Sequence, residues 1–296
     1  MDLKKESLLV KIWNALWPLF IYVIAQNLCI IAGALILGMI SGDMAKMSES
    51  LYQYAVIFIL ISSLICIPIY YRMYKKDCML AGESKPKIPM ENRDYLAISI
   101  SGAALAVAAN SIISITPLPK FFTGYEETNE ILFGAGMILQ ILMGGIFGCI
   151  VEEVSMRGVT YLRMKRYWGK RKAIILSALV FGIYHMNVVQ AVYAFFLGLF
   201  FAWVYERYKT LWAPITAHMS ANLFVILFGS SKAVNHALDS MVGYCLITCI
   251  SILIFYYGWR FMKQTDPMVE LEFVEKEPDT LKSLTEEYKE QEREGE

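Results

Sequence analysis

Between Cys149 and Arg157 the chain reads Cys-Ile-Val-Glu-Glu-Val-Ser-Met-Arg, placing two carboxylates, Glu152 and Glu153, and one guanidinium, Arg157, at the end of an apolar run. Ionisable groups in such a run cost about 2.5–3.5 kcal/mol each on insertion scales, so a chain that keeps them there generally uses them. On a helix the two carboxylates point about 100° apart. Arg157 follows Glu153 by four residues, the spacing at which side chains meet on one helix face. Glu153 is therefore expected to pair with Arg157, leaving Glu152 free to face a cavity. A carboxylate partly removed from water beside a second one is suited to general-base work. The plainer reading is that the pair only marks a membrane interface, where charges are cheap.

Two of the three histidines, His185 and His218, fall inside the next apolar segments. Phe181 precedes His185 by four residues and Asn222 follows His218 by four, so each pair shares one helix face. A single imidazole in an apolar helix is most often a satisfied packing group. Two imidazoles, an amide and two carboxylates in neighbouring spans are expected to converge, because hydrocarbon gives them no other partner.

The elements that must position these groups are membrane helices. The chain is 57% hydrophobic and only 18% charged, with a mean hydropathy of +0.47, against about 25% charged residues in an ordinary soluble domain. The reading is an all-α polytopic membrane protein with about eight transmembrane helices and a cavity inside the bundle. The expected spans are 12–40, 52–71, 95–115, 131–151, 173–186, 189–205, 211–229 and 241–261. The long uninterrupted first segment and the lack of a small-residue cleavage site argue against a cleaved signal peptide. The third span is rich in Ala, Ser and Gly, and Gly144, Gly145 and Gly148 mark a close helix contact on the way to Glu152. The basic stretch 157–172 reads as a surface segment with amphipathic helical character. Residues 1–262 form the helical domain, and 263–296 are an acidic cytoplasmic tail with too few apolar residues to pack.

The formal net charge is zero, but the acidic tail leaves the membrane body basic. Its Lys and Arg collect in 72–94 and 157–172, which share one side in an eight-span arrangement. That is the positive-inside pattern, not a nucleic-acid signal, and it places both termini in the cytoplasm, of a plasma membrane if the host is bacterial. The expected partners are membrane lipids and a peptide or protein at the cytoplasmic face, with no nucleic acid. The six cysteines are scattered without CxxC or Cys/His spacing, so neither a disulfide framework nor a zinc finger is implied. At 1.5 Å per residue Glu152 lies within about two turns of an edge set by Arg157 and Arg163. His218 lies about 12 Å from Thr210, and His185 about 20 Å from Lys172. Convergence then requires a site recessed from the cytoplasm and a fifth helix that tilts or begins low.

Glu-Glu-x-x-x-Arg, Phe-x-x-x-His and His-x-x-x-Asn, in this order in successive membrane segments, resemble the CAAX-protease and bacteriocin-processing (Abi) family of intramembrane peptidases. The likeness covers about 130–230, including Leu211–Ala217 before His218. It implies a catalytic core in that stretch that hydrolyses peptide bonds in a cavity open to the cytoplasm. Carried over by motif, Glu152 and His185 would activate water, His218 and Asn222 would stabilise the oxyanion, and Glu153 and Arg157 would support the site. No cofactor is required on this reading. A zinc-dependent version remains open, with Glu152, His185 and His218 as ligands. His236 falls in an outer loop, HExxH is absent, and Asn222 suits an oxyanion better than zinc. Two further alternatives stand beside the peptidase: a non-catalytic immunity or scaffold protein that binds through the same groups, and a proton-coupled transporter. No inverted repeat or pair of broken helices supports the transporter.

Overall fold

The computed structural model describes residues 6–83, 90–122, 134–229 and 240–264; the acidic link with Glu126, Glu127 and Glu130, His236 and the tail from 265 onward lie outside them. Among the described residues the regular structure is helical, with no strand. α1 (Leu8–Leu16) begins on Ser7, whose hydroxyl accepts from the Val10 amide at 3.4 Å. α2 (Leu19–Ser41) follows after Trp17 and Pro18, so the single helix expected over 12–40 is broken. Proline lacks an amide hydrogen and crowds the preceding turn. The break is fastened by buried Tyr70, whose hydroxyl donates to the Pro18 carbonyl at 2.8 Å and accepts from the Tyr22 amide at 3.1 Å.

α3 (Met44–Ala81) carries the second span through its basic end. α4 (Asn92–Ile115) starts on a capping box, with the Glu91 amide donating to Asp94 Oδ2 at 2.9 Å. α5 is one helix from Met137 to Trp168. Within it, Gln140–Phe147 and Val154–Tyr161 are π-helical, and the ordinary turn and a half between them, Gly148–Glu153, holds the carboxylates. Gly169, at φ 78°, ends α5, a backbone region that glycine enters without steric cost. α6 (Lys170–Tyr184), α7 (Val188–Tyr208), α8 (Trp212–Phe228) and α9 (Met241–Gln264) complete the bundle.

Six of these helices (α2, α3, α4, α5, α7 and α9) contain stretches long and apolar enough to cross a membrane, so the protein is an integral, multi-pass membrane protein. α6 and α8, of 15 and 17 residues, stand where the fifth and seventh spans were expected. At about 22 and 26 Å they fall short of a hydrocarbon core of about 30 Å. α8 packs against α4, α5 and α7, and α6 packs against α7 and α5. The α4–α8 crossing is tight because Gly102 has no side chain: a Cβ there would lie 2.4 Å from the Ala217 carbonyl oxygen. Gly145 likewise allows Leu223 of α8 onto α5.

The expectation for 157–172 is corrected. Met156, Val159, Thr160, Tyr161, Leu162 and Met164 are buried, and Arg157 is wholly enclosed. Only beyond them does α5 reach a polar end, where Lys165, Glu83, Glu206 and Lys209 form a charged knot. Lys165 bonds Glu83 and Glu206 (2.7 Å), Lys209 reaches Glu206 at 2.5 Å, and the Tyr161 hydroxyl donates to Glu206 at 2.6 Å. Beside it Arg163 pairs with Asp77 at 2.9 Å and donates to the Asn14 carbonyl at 2.8 Å. The basic residues thus tie α1, α3, α5 and α7 together at one end of the bundle.

Candidate active site

Moving the polar edge from Arg157 out to Lys165 changes the depth of Glu152. Along α5 it now lies about 20 Å from the charged knot, which matches the depth of His185 along α6. Glu152 and His185 then agree in depth, while His218 stays about 12 Å from Thr210 along α8.

Glu153 is fully buried, and its Oε1 accepts two bonds: from Arg157 Nη1 at 2.9 Å and from His218 Nδ1 at 2.8 Å. The four-residue spacing does bring Glu153 and Arg157 together. Arg157 Nη2 donates to the Gly198 carbonyl of α7 at 3.0 Å, and its guanidinium lies 4.4 Å from the Phe181 ring centroid and 5.3 Å from that of Phe201. Such contacts offset desolvation, the main cost of a buried charge. A charge-assisted bond on each side fixes Glu153 as a hinge between α5 and α8.

His218 is almost enclosed, stacked on Phe201 at 4.8 Å and 25°, and edge-on to Phe181 at 5.7 Å and 89°. With Nδ1 donating to Glu153, its other nitrogen faces Glu152, whose Oε2 is 3.8 Å from Nε2. Glu152 differs from its neighbour: its side chain keeps 19% exposure, against none for Glu153. It is the carboxylate that something entering the site can reach.

His185 closes α6 and donates from Nδ1 to the Phe181 carbonyl at 2.7 Å. That bond leaves Nε2 as the unprotonated nitrogen of the neutral ring. Phe181 thus holds three groups: its carbonyl fixes His185, its ring packs edge-on to His185 at 4.9 Å, and the same ring meets Arg157 and His218. Glu152 is within Coulombic reach of His185, Tyr22 and Tyr184. Asn222 donates from Nδ2 to the Gly144 carbonyl at 2.8 Å, in the first π-helical stretch, and lies 3.5 Å from Cys149 Sγ.

The structure therefore gathers Glu152, Glu153, Arg157 and His218 through direct contacts, with His185 joined by the Phe181 ring and Asn222 by the Gly144 turn. Sequence reasoning missed three participants: Gly198 and Phe201 of α7, and Tyr22 of α2, whose hydroxyl pairs with Ser63 at 2.6 Å. None sits at a motif spacing; an aromatic or glycine in an apolar run reads as packing. The zinc set of Glu152, His185 and His218 is not assembled: among the described residues no three His, Cys, Asp or Glu side chains gather as metal ligands.

Residues 134–224 match the family model described as type II CAAX prenyl endopeptidase Rce1-like. The chain is 28% identical over 160 residues to "Putative membrane peptidase YdiL" of Bacillus subtilis (strain 168), an alignment covering 51% of this chain. It covers 66% of that protein, just short of two thirds of its length. No solved structure matches. Both matches bear out the resemblance to the CAAX-protease family, and the matched stretch contains all three motifs.

Proposed function

From the match of residues 134–224 to the Rce1-like CAAX endopeptidase model, we propose that the protein is an intramembrane endopeptidase in which Glu152 activates the attacking water. One observation carries the reading: a half-open carboxylate, Glu152, stands 3.8 Å from an imidazole whose opposite nitrogen is bonded to a closed carboxylate, Glu153. Two neighbouring glutamates in different environments are thereby given different tasks, the pattern by which one site holds both a base and a charge anchor.

The water is shared by Glu152 and His185 Nε2. Glu152 takes a proton as the oxygen adds to the scissile carbonyl, and later delivers it to the leaving amine. His218, held at Nδ1 by Glu153, donates from Nε2 to the oxyanion as an imidazolium. Asn222 adds its second amide hydrogen, which in the resting site is held only by a thiol, a weak acceptor. A donor of this kind is worth about 3–4 kcal/mol of transition-state stabilisation. Arg157 holds Glu153 in place through the 2.9 Å bond. No step requires a cofactor. On this reading the charged knot is the cytoplasmic end, both termini are cytoplasmic, and a peptide or protein segment enters from that side.

The test is cleavage of a peptide library by purified protein in detergent after exhaustive chelation, with Glu152→Gln beside the wild type. Cleavage that survives chelation and vanishes in the variant is the expected result. Undiminished cleavage by Glu152→Gln would sink the mechanism. Loss on chelation with recovery on zinc would replace it with a metal-dependent one.

A further inference from the structure

α7 contributes nothing to the three motifs, yet it places two groups in the site from one face, three residues apart. The Gly198 carbonyl receives Arg157 Nη2, and the Phe201 ring, fully buried, receives the face of His218. The two aromatics against His218 act differently. Phe181 meets the imidazole edge-on, at 89°, whereas Phe201 lies nearly parallel to it, at 25° and 4.8 Å.

An imidazole held at Nδ1 can still swing about that bond. The flat face of Phe201 removes this freedom, because rotation would drive the ring edge into a filled, fully buried side chain. We infer that Phe201 is a positioning residue: it sets the plane of His218 so that Nε2 stays aimed at the space beside Glu152. This role rests on the peptidase reading only for its catalytic consequence; the orientation itself is a property of the resting protein. The contact also suits charge, since an aromatic face favours a cation lying on it, and Arg157 and His218 both lie near the Phe201 ring.

The chain has three histidines, so histidine-selective 15N labelling gives a spectrum small enough to assign with single His→Gln variants. The full-length protein in detergent would be compared as wild type, Phe201→Leu and Phe201→Tyr. In Phe201→Leu the upfield ring-current displacement of the His218 ring protons should vanish, and its Nδ1–H signature should broaden. Phe201→Tyr, which keeps the aromatic face, should retain both. If the protein cleaves peptides, kcat should fall about 10- to 100-fold in Phe201→Leu with KM nearly unchanged, as a misaimed group predicts, and Phe201→Tyr should recover most of it. His218 signals in Phe201→Leu that match the wild type would overturn the inference, whatever the activity. So would equal losses of kcat in both variants with unmoved His218 signals, which would reduce Phe201 to packing. If the wild type cleaves nothing, the His218 signals still decide the role of Phe201, and the failure counts against the peptidase reading alone.

Discussion

Replacing Arg157 with methionine keeps most of the side-chain volume and removes the charge. Three things are lost together: the 2.9 Å bond to Glu153, the 3.0 Å bond to the Gly198 carbonyl, and the guanidinium over Phe181. Breaking a buried ion pair from one side costs about 3–5 kcal/mol, chiefly because the partner charge is left behind. Both side chains here are fully enclosed, so solvent does not soften that penalty. His218 does, since it also bonds Glu153 and can carry the compensating charge. The expected loss for Arg157→Met is therefore about 3 kcal/mol, at the lower end. Adding Glu153→Gln removes the orphaned charge, so the double variant should be more stable than the sum of the two single losses predicts, by about 1–3 kcal/mol. Unfolding of the purified protein in mild detergent by graded denaturant, followed by tryptophan fluorescence, measures all three variants. A loss below about 1 kcal/mol for Arg157→Met, or strict additivity in the double variant, would refute the coupled buried pair.

Other outcomes follow from the same contacts. Glu152→Gln should lower peptide cleavage by about 100-fold or more while leaving the unfolding transition close to wild type, because its nearest charged partner among the described residues, His218, is 3.8 Å away. Gly102→Ala would push a methyl against the Ala217 carbonyl, one residue before His218; a loss of about 1–3 kcal/mol and reduced cleavage are expected, readable in the same two assays. Glu206→Gln strips Lys165 and Lys209 of a shared anion and weakens the acceptor for Tyr161; a loss of about 1–3 kcal/mol is expected. Faster proteolysis near Glu83 and Lys209 would show that the knot is what closes this end.

Much of the site was legible because its bonds are local or obligatory. The Glu153–Arg157 pair follows from four-residue spacing, and the approach of His218 follows from the lack of other partners in an apolar setting. The depth of the pair was not legible. A run containing Arg157, Arg163, Lys165 and Arg166 reads as an interface, and nothing in its composition says that Arg157 lies among Phe181, Phe201 and the Gly198 carbonyl instead. The fastening of Pro18 by Tyr70 was hidden for a similar reason, since it joins residues 52 apart in sequence. The contribution of α7 depends on a stacking angle that no pattern of residue types encodes. Spans were legible from hydropathy, including the shortness of the segment at α6, expected over 173–186; α8 is two residues shorter than the 211–229 expected because its helix starts at Trp212 and ends at Phe228.

The two π-helical stretches that flank Gly148–Glu153 also bear on how this chain can vary. A wide turn closes its hydrogen-bonded ring over one residue more than an ordinary turn does. Each stretch is thus a place where length can be taken up or released without breaking the helix, while every side chain beyond it is re-phased by about 100° for each residue gained or lost. The direction in which Glu152 looks is therefore set by the backbone ahead of it, and the direction of Tyr161 and Lys165 by the second stretch behind it. A one-residue deletion in 140–147 should leave α5 helical and buried yet swing Glu152 away from His218. The membrane would still accept such a chain; only its carboxylates would be out of step with α8.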